Sequence, residues 1–262
     1  MAIVSEHAPG TPNWFELATS NQEAGKKFYM QLFGWTAIDN PMGPDGIYTM
    51  FQLDGHDVGS AYTLPEQLAK QGVPPHWNVY FTVKNADESA AKAASLGGQI
   101  LQPAFDVMEH GRMAILRDPG GAVFAIWQPK KHIGATVINQ NNAQCWAELA
   151  TWDAPKMRDF YTGLFGWETK GAANMPTYIE FSAAGRPRGG LLAMDEKWKG
   201  APSHWSIYFQ VADCTATMSK AKELGAEVIF GPHDAPGVGR FGALHDPQGA
   251  VFSVIQLAAP MP

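Results

Sequence analysis

A chain of 262 residues, 45% hydrophobic and 17% charged, has the composition of a globular protein with enough apolar surface for one or two packed cores. Lys and Arg number 19 against 25 Asp and Glu, a formal charge of −6 with no basic run, which argues against nucleic acid or an anionic membrane as partner and leaves small molecules or proteins. The two cysteines, Cys145 and Cys214, fall in or beside regular elements and in no nucleophile motif, so the expectation is a reducing, cytoplasmic compartment without a disulfide framework. The first residues lack the basic-then-apolar order of a signal peptide, and no apolar run approaches the roughly 18 residues of a membrane helix.

After a polar leader over residues 1–12, Trp14-Phe15-Glu16-Leu17-Ala18-Thr19 alternates as a strand does. Ser20 or Asn21 is placed to cap a helix in which Ala24, Phe28, Leu32 and Phe33 recur at helical spacing until Gly34 stops it. Two strands are predicted at 47–53 and 58–63, joined by the turn pair Asp54-Gly55. Residues 76–83 then alternate clearly: Trp77, Val79, Phe81 and Val83 on one face, His76, Asn78, Tyr80 and Thr82 on the other. Asn85 caps a second helix that ends at Gly97-Gly98, and strands follow near 99–101, 112–116 and 122–127, the last two around the turn Asp118-Pro119-Gly120-Gly121. The first 128 residues therefore hold two copies of one module.

The second half repeats the first. Trp14-Phe15-Glu16-Leu17-Ala18-Thr19 matches Trp146-Ala147-Glu148-Leu149-Ala150-Thr151, and Leu32-Phe33-Gly34-Trp35 matches Leu164-Phe165-Gly166-Trp167, at an offset of 132. His76-Trp77 matches His204-Trp205, and Asp118-Pro119 with Gly121-Ala122-Val123-Phe124 matches Asp246-Pro247 with Gly249-Ala250-Val251-Phe252, at an offset of 128. The expected division is a domain over 1–128, an Asn- and Gln-rich linker over 129–144 with room for a short strand at 135–138, and a domain over 145–262.

Four βαβββ-like modules, the Phe-Tyr…Leu-Phe-Gly-Trp helix and the Asp-Pro-x-Gly turn before a last strand resemble the vicinal oxygen chelate superfamily of glyoxalases, extradiol dioxygenases and bleomycin-resistance proteins. The duplicated layout is most similar to its two-domain glyoxalase-like branch, some of whose members are described as hydroxylases or as a culture-filtrate antigen. The resemblance implies an α+β fold in which modules pair into two domains, each a concave mixed sheet with helices outside. It also implies metal-ligand positions on the strands, and these fall at Trp14 and Trp146, at Asn78 and Ser206, and at Ala125 and Ser253. The remaining position, within 58–63 and 188–194, offers no carboxylate or imidazole. Since an open catalytic metal needs about three N or O ligands, no metal site and no cofactor are expected.

The same register makes the polar face of each strand the cleft face. Glu16 with His76, and Glu148 with His204, are the candidate acid/base pairs, because a His beside a carboxylate can move a proton near neutral pH. Each His equally reads as a loop-binding residue at a strand start. Trp14, Trp127 and Trp146 offer an aromatic wall, or else pack between modules. Asn78, Tyr80, Ser206, Tyr208 and Ser253 offer polar contacts, and Arg112 and Arg240 either clamp an anion or hold their own loops. Asp118 and Asp246 read as turn formers. Arg186, Arg188 and Glu180 have no counterpart in the first half, so the two clefts are not expected to be identical. The expected function is metal-free binding of a small organic molecule in a sheet cleft. The alternatives are a metal-dependent lyase or dioxygenase with displaced ligands, and a sequestering or signalling protein.

Overall fold

The computed structural model describes residues 3–43, 46–172 and 175–259. In the first half β1 (Pro12–Thr19), α1 (Gln22–Phe33), β2 (Thr36–Pro41), β3 (Ile47–Leu53) and β4 (His56–Thr63) form one module. After a short α2 (Glu66–Lys70), a second module follows with β5 (His76–Thr82), α3 (Ala86–Ser95), β6 (Gln99–Val107), β7 (Gly111–Arg117) and β8 (Val123–Pro129). The two join edge to edge into one eight-stranded sheet, β2-β3-β4-β1-β5-β8-β7-β6. Its centre is the antiparallel pair β1 and β5, flanked by parallel pairings with β4 and β8.

The second half repeats this with β9 (Gln144–Thr151), α4 (Ala154–Phe165), β10 (Glu168–Ala172), β11 (Met175–Ala183), β12 (Arg186–Ala193), β13 (His204–Gln210), α5 (Cys214–Glu223), β14 (Glu227–Ala235), β15 (Gly239–His245) and β16 (Val251–Leu257). The sheet order is β10-β11-β12-β9-β13-β16-β15-β14. Two elements escaped the sequence reading, for a common reason. β2 is a polar, exposed edge strand, and α2 buries no residue, so neither carries a core-facing period.

Capping chemistry sets the helix ends. Asn21 Oδ1 accepts from the Ala24 amide at the start of α1, and Gly34, with φ of 74°, closes it. Asp153 and Gly166 do the same for α4. The helices α1 and α3 pack against strands of the first sheet and α4 and α5 against strands of the second, and α1 meets α5 and α3 meets α4 where the two domains join.

Phe15, Leu17, Val79, Phe81, Phe124 and Ile126, assigned to the core by alternation, are fully buried. Each such side chain contributes roughly 1.5–3 kcal/mol through removal from water. The core runs across the domain boundary: Phe33 of α1 lies 4.9 Å from Phe209 of β13, and Phe81 of β5 lies 5.2 Å from Phe165 of α4. Polar contacts cross it in matched pairs. The Tyr29 hydroxyl donates to Asp246 (3.0 Å) and accepts from Trp77 Nε1 (2.9 Å); Tyr161 donates to Asp118 (2.9 Å) and accepts from Trp205 (2.8 Å). Lys220 reaches the Leu32 carbonyl at the end of α1, and Lys92 the Leu164 carbonyl at the end of α4, placing a cation at each negative helix end. Asp118 and Asp246 are turn formers, as their motif suggests. One oxygen of Asp118 accepts from the Gly120 and Ala122 amides, one of Asp246 from those of Gln248 and Ala250, and the other oxygen docks the opposite domain.

Candidate functional site

On β1 the cleft face carries Trp14 and Glu16, because Phe15 and Leu17 take the core face. Pairing places Glu16 beside Ser60 of β4 and Asn78 of β5, and Trp14 beside Tyr80. Glu16 is only 8% exposed, and both its carboxyl oxygens accept hydrogen bonds: Oε1 from the Tyr48 hydroxyl and Oε2 from the Tyr80 hydroxyl, each at 2.7 Å. Tyr48 oxygen in turn accepts from Trp14 Nε1 (3.1 Å) and lies 2.8 Å from Ser60 Oγ. Tyr48 has one proton and gives it to Glu16, which makes Ser60 the donor in that last contact. Burial raises the Glu16 pKa above the ordinary carboxyl value while the two phenols oppose it. Tyr62, whose pKa is raised by burial and by the Glu16 charge, completes the group beside Asn78.

The second domain rebuilds this cluster with different neighbours. Glu148 accepts from the Tyr208 hydroxyl (2.9 Å) and is bonded by Tyr178, while Trp146 Nε1 donates to Tyr178 (2.9 Å). Burial again raises the carboxyl pKa. Gly190 stands where Ser60 does, and a Cβ there would lie 1.9 Å from the Tyr178 oxygen and 3.0 Å from Trp146 Nε1, so the tyrosine occupies that space. Ser206 pairs with Glu148, and Ser253 with Tyr208.

Residues 130–138 separate the two faces. They form no strand, contrary to the expectation for 135–138, and instead run across the end of the first sheet. Trp127 Nε1 donates to the His132 carbonyl (2.8 Å), Asn13 Nδ2 to the Ile133 carbonyl, the Ala135 amide to Asn13, and the Thr136 amide to Asp57. The His132 ring sits edge-on to Trp14, with centroids 4.7 Å apart, and 6.0 Å from Trp127. Trp14 and Trp127 are consequently buried, at 5% and 7% exposure. Trp146, Glu148, Tyr178 and Phe241 of the second face keep partial exposure. Two shallow depressions, of about 560 Å³ over α1 and about 350 Å³ beside Asp234 and Arg240, reach neither Glu16 nor Glu148.

Several expected site residues belong elsewhere. His76 Nδ1 contacts the Pro74 carbonyl (2.7 Å) and His204 Nδ1 the Pro202 carbonyl (2.9 Å), which ties each ring to its own loop. Pairing sets His76 beside Ala18 and His204 beside Ala150, so neither joins a carboxylate and the acid/base pairs do not form. Arg112 forms a two-point ion pair with Asp87 of α3, at 2.7 and 2.8 Å, and Arg240 binds Asp234 and Thr215, so neither reaches the carboxyl cluster. Tyr48 and Tyr178 were missed. They are repeat-equivalent within Tyr-x-x-Phe, from Tyr48 to Phe51 and Tyr178 to Phe181, a match at an offset of 130 that the strands' weak alternation obscures.

A family model for the glyoxalase/bleomycin resistance protein/dioxygenase superfamily matches residues 11–126 and again 143–254. The chain belongs to this superfamily. It is 42% identical over 258 residues to "Putative glyoxylase CFP32" of Mycobacterium tuberculosis, covering 97% of both chains. It is 34% identical over 274 residues to "Anthracycline biosynthesis protein DauV" of Streptomyces sp. strain C5, covering 99% of this chain and 98% of the relative. Among solved structures, the Mn(II)-bound glyoxalase from Novosphingobium aromaticivorans superposes with a TM-score of 0.69 at 13% identity, over 97% of this chain and 84% of that one. The 2,3-dioxygenase LapB from Pseudomonas sp. KL28 gives 0.66 at 14% identity, over 100% and 95%. At that identity the two structures establish the fold.

The superfamily's metal can be tested against the side chains present. The indoles of Trp14 and Trp146 supply N–H donors, not lone pairs, and the carboxyl oxygens of Glu16 are both engaged by phenols. No three His, Cys, Asp or Glu side chains converge among the described residues. The donor set does not fit a divalent cation, which takes about three N or O ligands in an open site. Both cysteines are free and buried, with burial raising each thiol pKa, that of Cys214 to about 11, so neither supplies a thiolate. No helix among the described residues is long and apolar enough to cross a membrane.

Proposed function

We propose that this protein binds a small, flat organic molecule on a cleft face and handles it with the carboxyl–phenol cluster in place of a metal. The observation that carries this reading is the twofold occurrence of one constellation, Trp14, Glu16, Tyr48 and Tyr80 matched by Trp146, Glu148, Tyr178 and Tyr208. A buried carboxyl of raised pKa, flanked by two hydroxyls, can give or take a proton at a ligand oxygen. The half-buried indole of Trp146 supplies a surface for an aromatic ring. Neither role calls for a cofactor, a nucleic acid or a membrane, and the free, buried thiols suit a reducing cytoplasm. The relatives named for anthracycline biosynthesis make polycyclic phenols the first ligands to screen.

The test has two parts. Metal content of the purified protein, followed by calorimetry with Zn, Ni, Mn and Fe, is expected to give no stoichiometric binding. A melting screen against catechols, aldehyde adducts and hydroxyanthraquinones is expected to raise Tm with one of these classes. Stoichiometric metal lost on Glu16→Gln or Glu148→Gln substitution would support the metal-dependent reading instead. Consumption of the stabilising ligand separates an enzyme from a sequestering protein.

A further inference from the structure

We propose that the second cleft face continues past the carboxyl cluster to a rim subsite of Trp152, Trp198 and His204, which takes the far ring of an elongated aromatic ligand whose hydroxyl end lies at Glu148. This rests on the cleft reading given above, and adds the shape of the ligand and the side chains that hold its far end.

Unbroken pairing leads from the cluster to the rim. Between β9 and β13, Tyr208 stands opposite Trp146, Ser206 opposite Glu148 and His204 opposite Ala150, with no register shift among them. Tyr208 donates to Glu148, which fixes the cleft face of β13 at that residue, and Ser206 and His204 follow on the same face. His204 therefore lies two residues, about 7 Å, along the strand from the row of Ser206 and Glu148. Its Nδ1 contact with the Pro202 carbonyl, 2.9 Å, holds the ring in place, and the Trp198 ring lies 6.1 Å from it, tilted by 45°. The Ala201 amide donates to the Trp198 carbonyl, and the Ala201 carbonyl accepts from Trp152 Nε1 (2.9 Å), so both indoles are fastened to the one loop that leads into β13.

The rim has the composition of a ligand surface. Trp152 is 48% exposed although its single polar atom is already satisfied by the protein, so what it presents to water is apolar ring. Trp198 and His204 stand half-buried on the same loop. Aromatic area gathered beside a polar cluster is what a small-molecule site offers, and scattered surface residues do not. The indoles are not needed for the core. Thr151 and Ser203, which precede Trp152 and His204, take the buried side and bond each other there. The first domain keeps the carboxyl cluster without these rings: Ser20 holds the place of Trp152 at the offset of 132, and the connection 64–75 between β4 and β5 contains no aromatic residue. Indoles that the fold requires are repeated, as the buried Trp35 is by Trp167 and Trp77 by Trp205. The charges of the second connection, Asp195, Glu196, Lys197 and Lys199, cancel, so the subsite favours a neutral ring.

Calorimetry of the full chain with 4-phenylphenol and with 2-phenylphenol tests this, because the isomers match in composition and differ in whether the second ring extends the molecule or folds beside its hydroxyl. The expected result is 4-phenylphenol bound about tenfold more tightly, in line with two ring contacts. Trp152→Ala and Trp198→Ala should each weaken 4-phenylphenol about three- to tenfold and leave 2-phenylphenol unchanged. Trp152→Phe and Trp198→Phe should keep most of the affinity, and Leu68→Ala, in the connection of the first domain, should bind as the parent does. Circular dichroism establishes that each variant is folded. Equal binding of the two isomers, or a preference indifferent to both alanine substitutions, overturns the inference while leaving cleft binding intact. No binding of either isomer at millimolar concentration overturns the cleft reading and this inference together.

Discussion

The first and second cleft faces start from the same strand sequence, Trp-x-Glu-Leu-Ala-Thr, and end in different states. In both, a tyrosine hydroxyl of the neighbouring strand donates to the carboxyl, and the indole donates to a second tyrosine beside it. In the first, Asn13 leaves the β-bulge of β1 to hold residues 133–135, and the crossing segment presses His132 onto Trp14. In the second, Cys145 occupies the equivalent bulge and its thiol contacts the Tyr208 carbonyl. The carboxyl cluster is thus a property of the module, while access to it is a property of what the intervening chain covers.

The largest effect should come where the halves are most alike. Tyr29→Phe and Tyr161→Phe each leave a buried indole N–H and a carboxyl oxygen without a partner, and each should cost about 2–3 kcal/mol in urea unfolding. A large inequality between the two would break the symmetry of the domain contact. Next is Gly190→Ala, which forces Tyr178 from its place and should cost about 1–3 kcal/mol, against a smaller loss for Ser60→Gly, which removes one hydroxyl. If Gly190→Ala proves neutral, the second cluster is looser than the first. His132→Ala should cost about 1–2 kcal/mol and expose Trp14 and Trp127, seen as a red shift and increased acrylamide quenching of fluorescence. Unchanged quenching would mean that other residues shield the first face.

The smallest effect is in the pH profile. Burial raises the folded-state pKa of Glu16 and of Glu148, so the native chain holds their protons more firmly than the unfolded chain does. Their contribution to stability is complete below the unfolded value of about 4.3 and is lost as pH rises through the folded value. The Tm of the parent relative to Glu16→Gln, and relative to Glu148→Gln, should therefore fall as pH rises above that point. A flat difference for one variant alone would show which carboxyl lies in the wetter face.

Much of this architecture was legible from periodicity. Alternation in residues 76–83 assigned the faces of β5 because each misplaced residue would carry an apolar side chain into water. The duplication located the equivalent positions, and the Asp-Pro turns gave the start of β8 and β16. The pairing of Glu16 with His76 failed for a specific reason: alternation fixes a side chain's face but not its position along the strand relative to a neighbour. One row of register places His76 beside Ala18, and its ring then finds the Pro74 carbonyl. Arg112 and Arg240 were ambiguous because a guanidinium is long enough to serve either side of a strand end, and Asp87 and Asp234 decide it.

By itself the sequence determined the modules, their duplication, the helix ends and the face on which each strand residue stands, because these follow from local stereochemistry and the separation of apolar from polar groups. Only tertiary structure decided that Tyr48 and Tyr178 reach the carboxyls, that Tyr29 and Tyr161 fasten each domain to the other, and that residues 130–138 cover the first face. Contacts such as Tyr48 with Glu16, Asn13 with Ile133 and Tyr29 with Asp246 join residues about 30 to more than 200 places apart, where loop conformation and packing, not periodicity, set which groups meet.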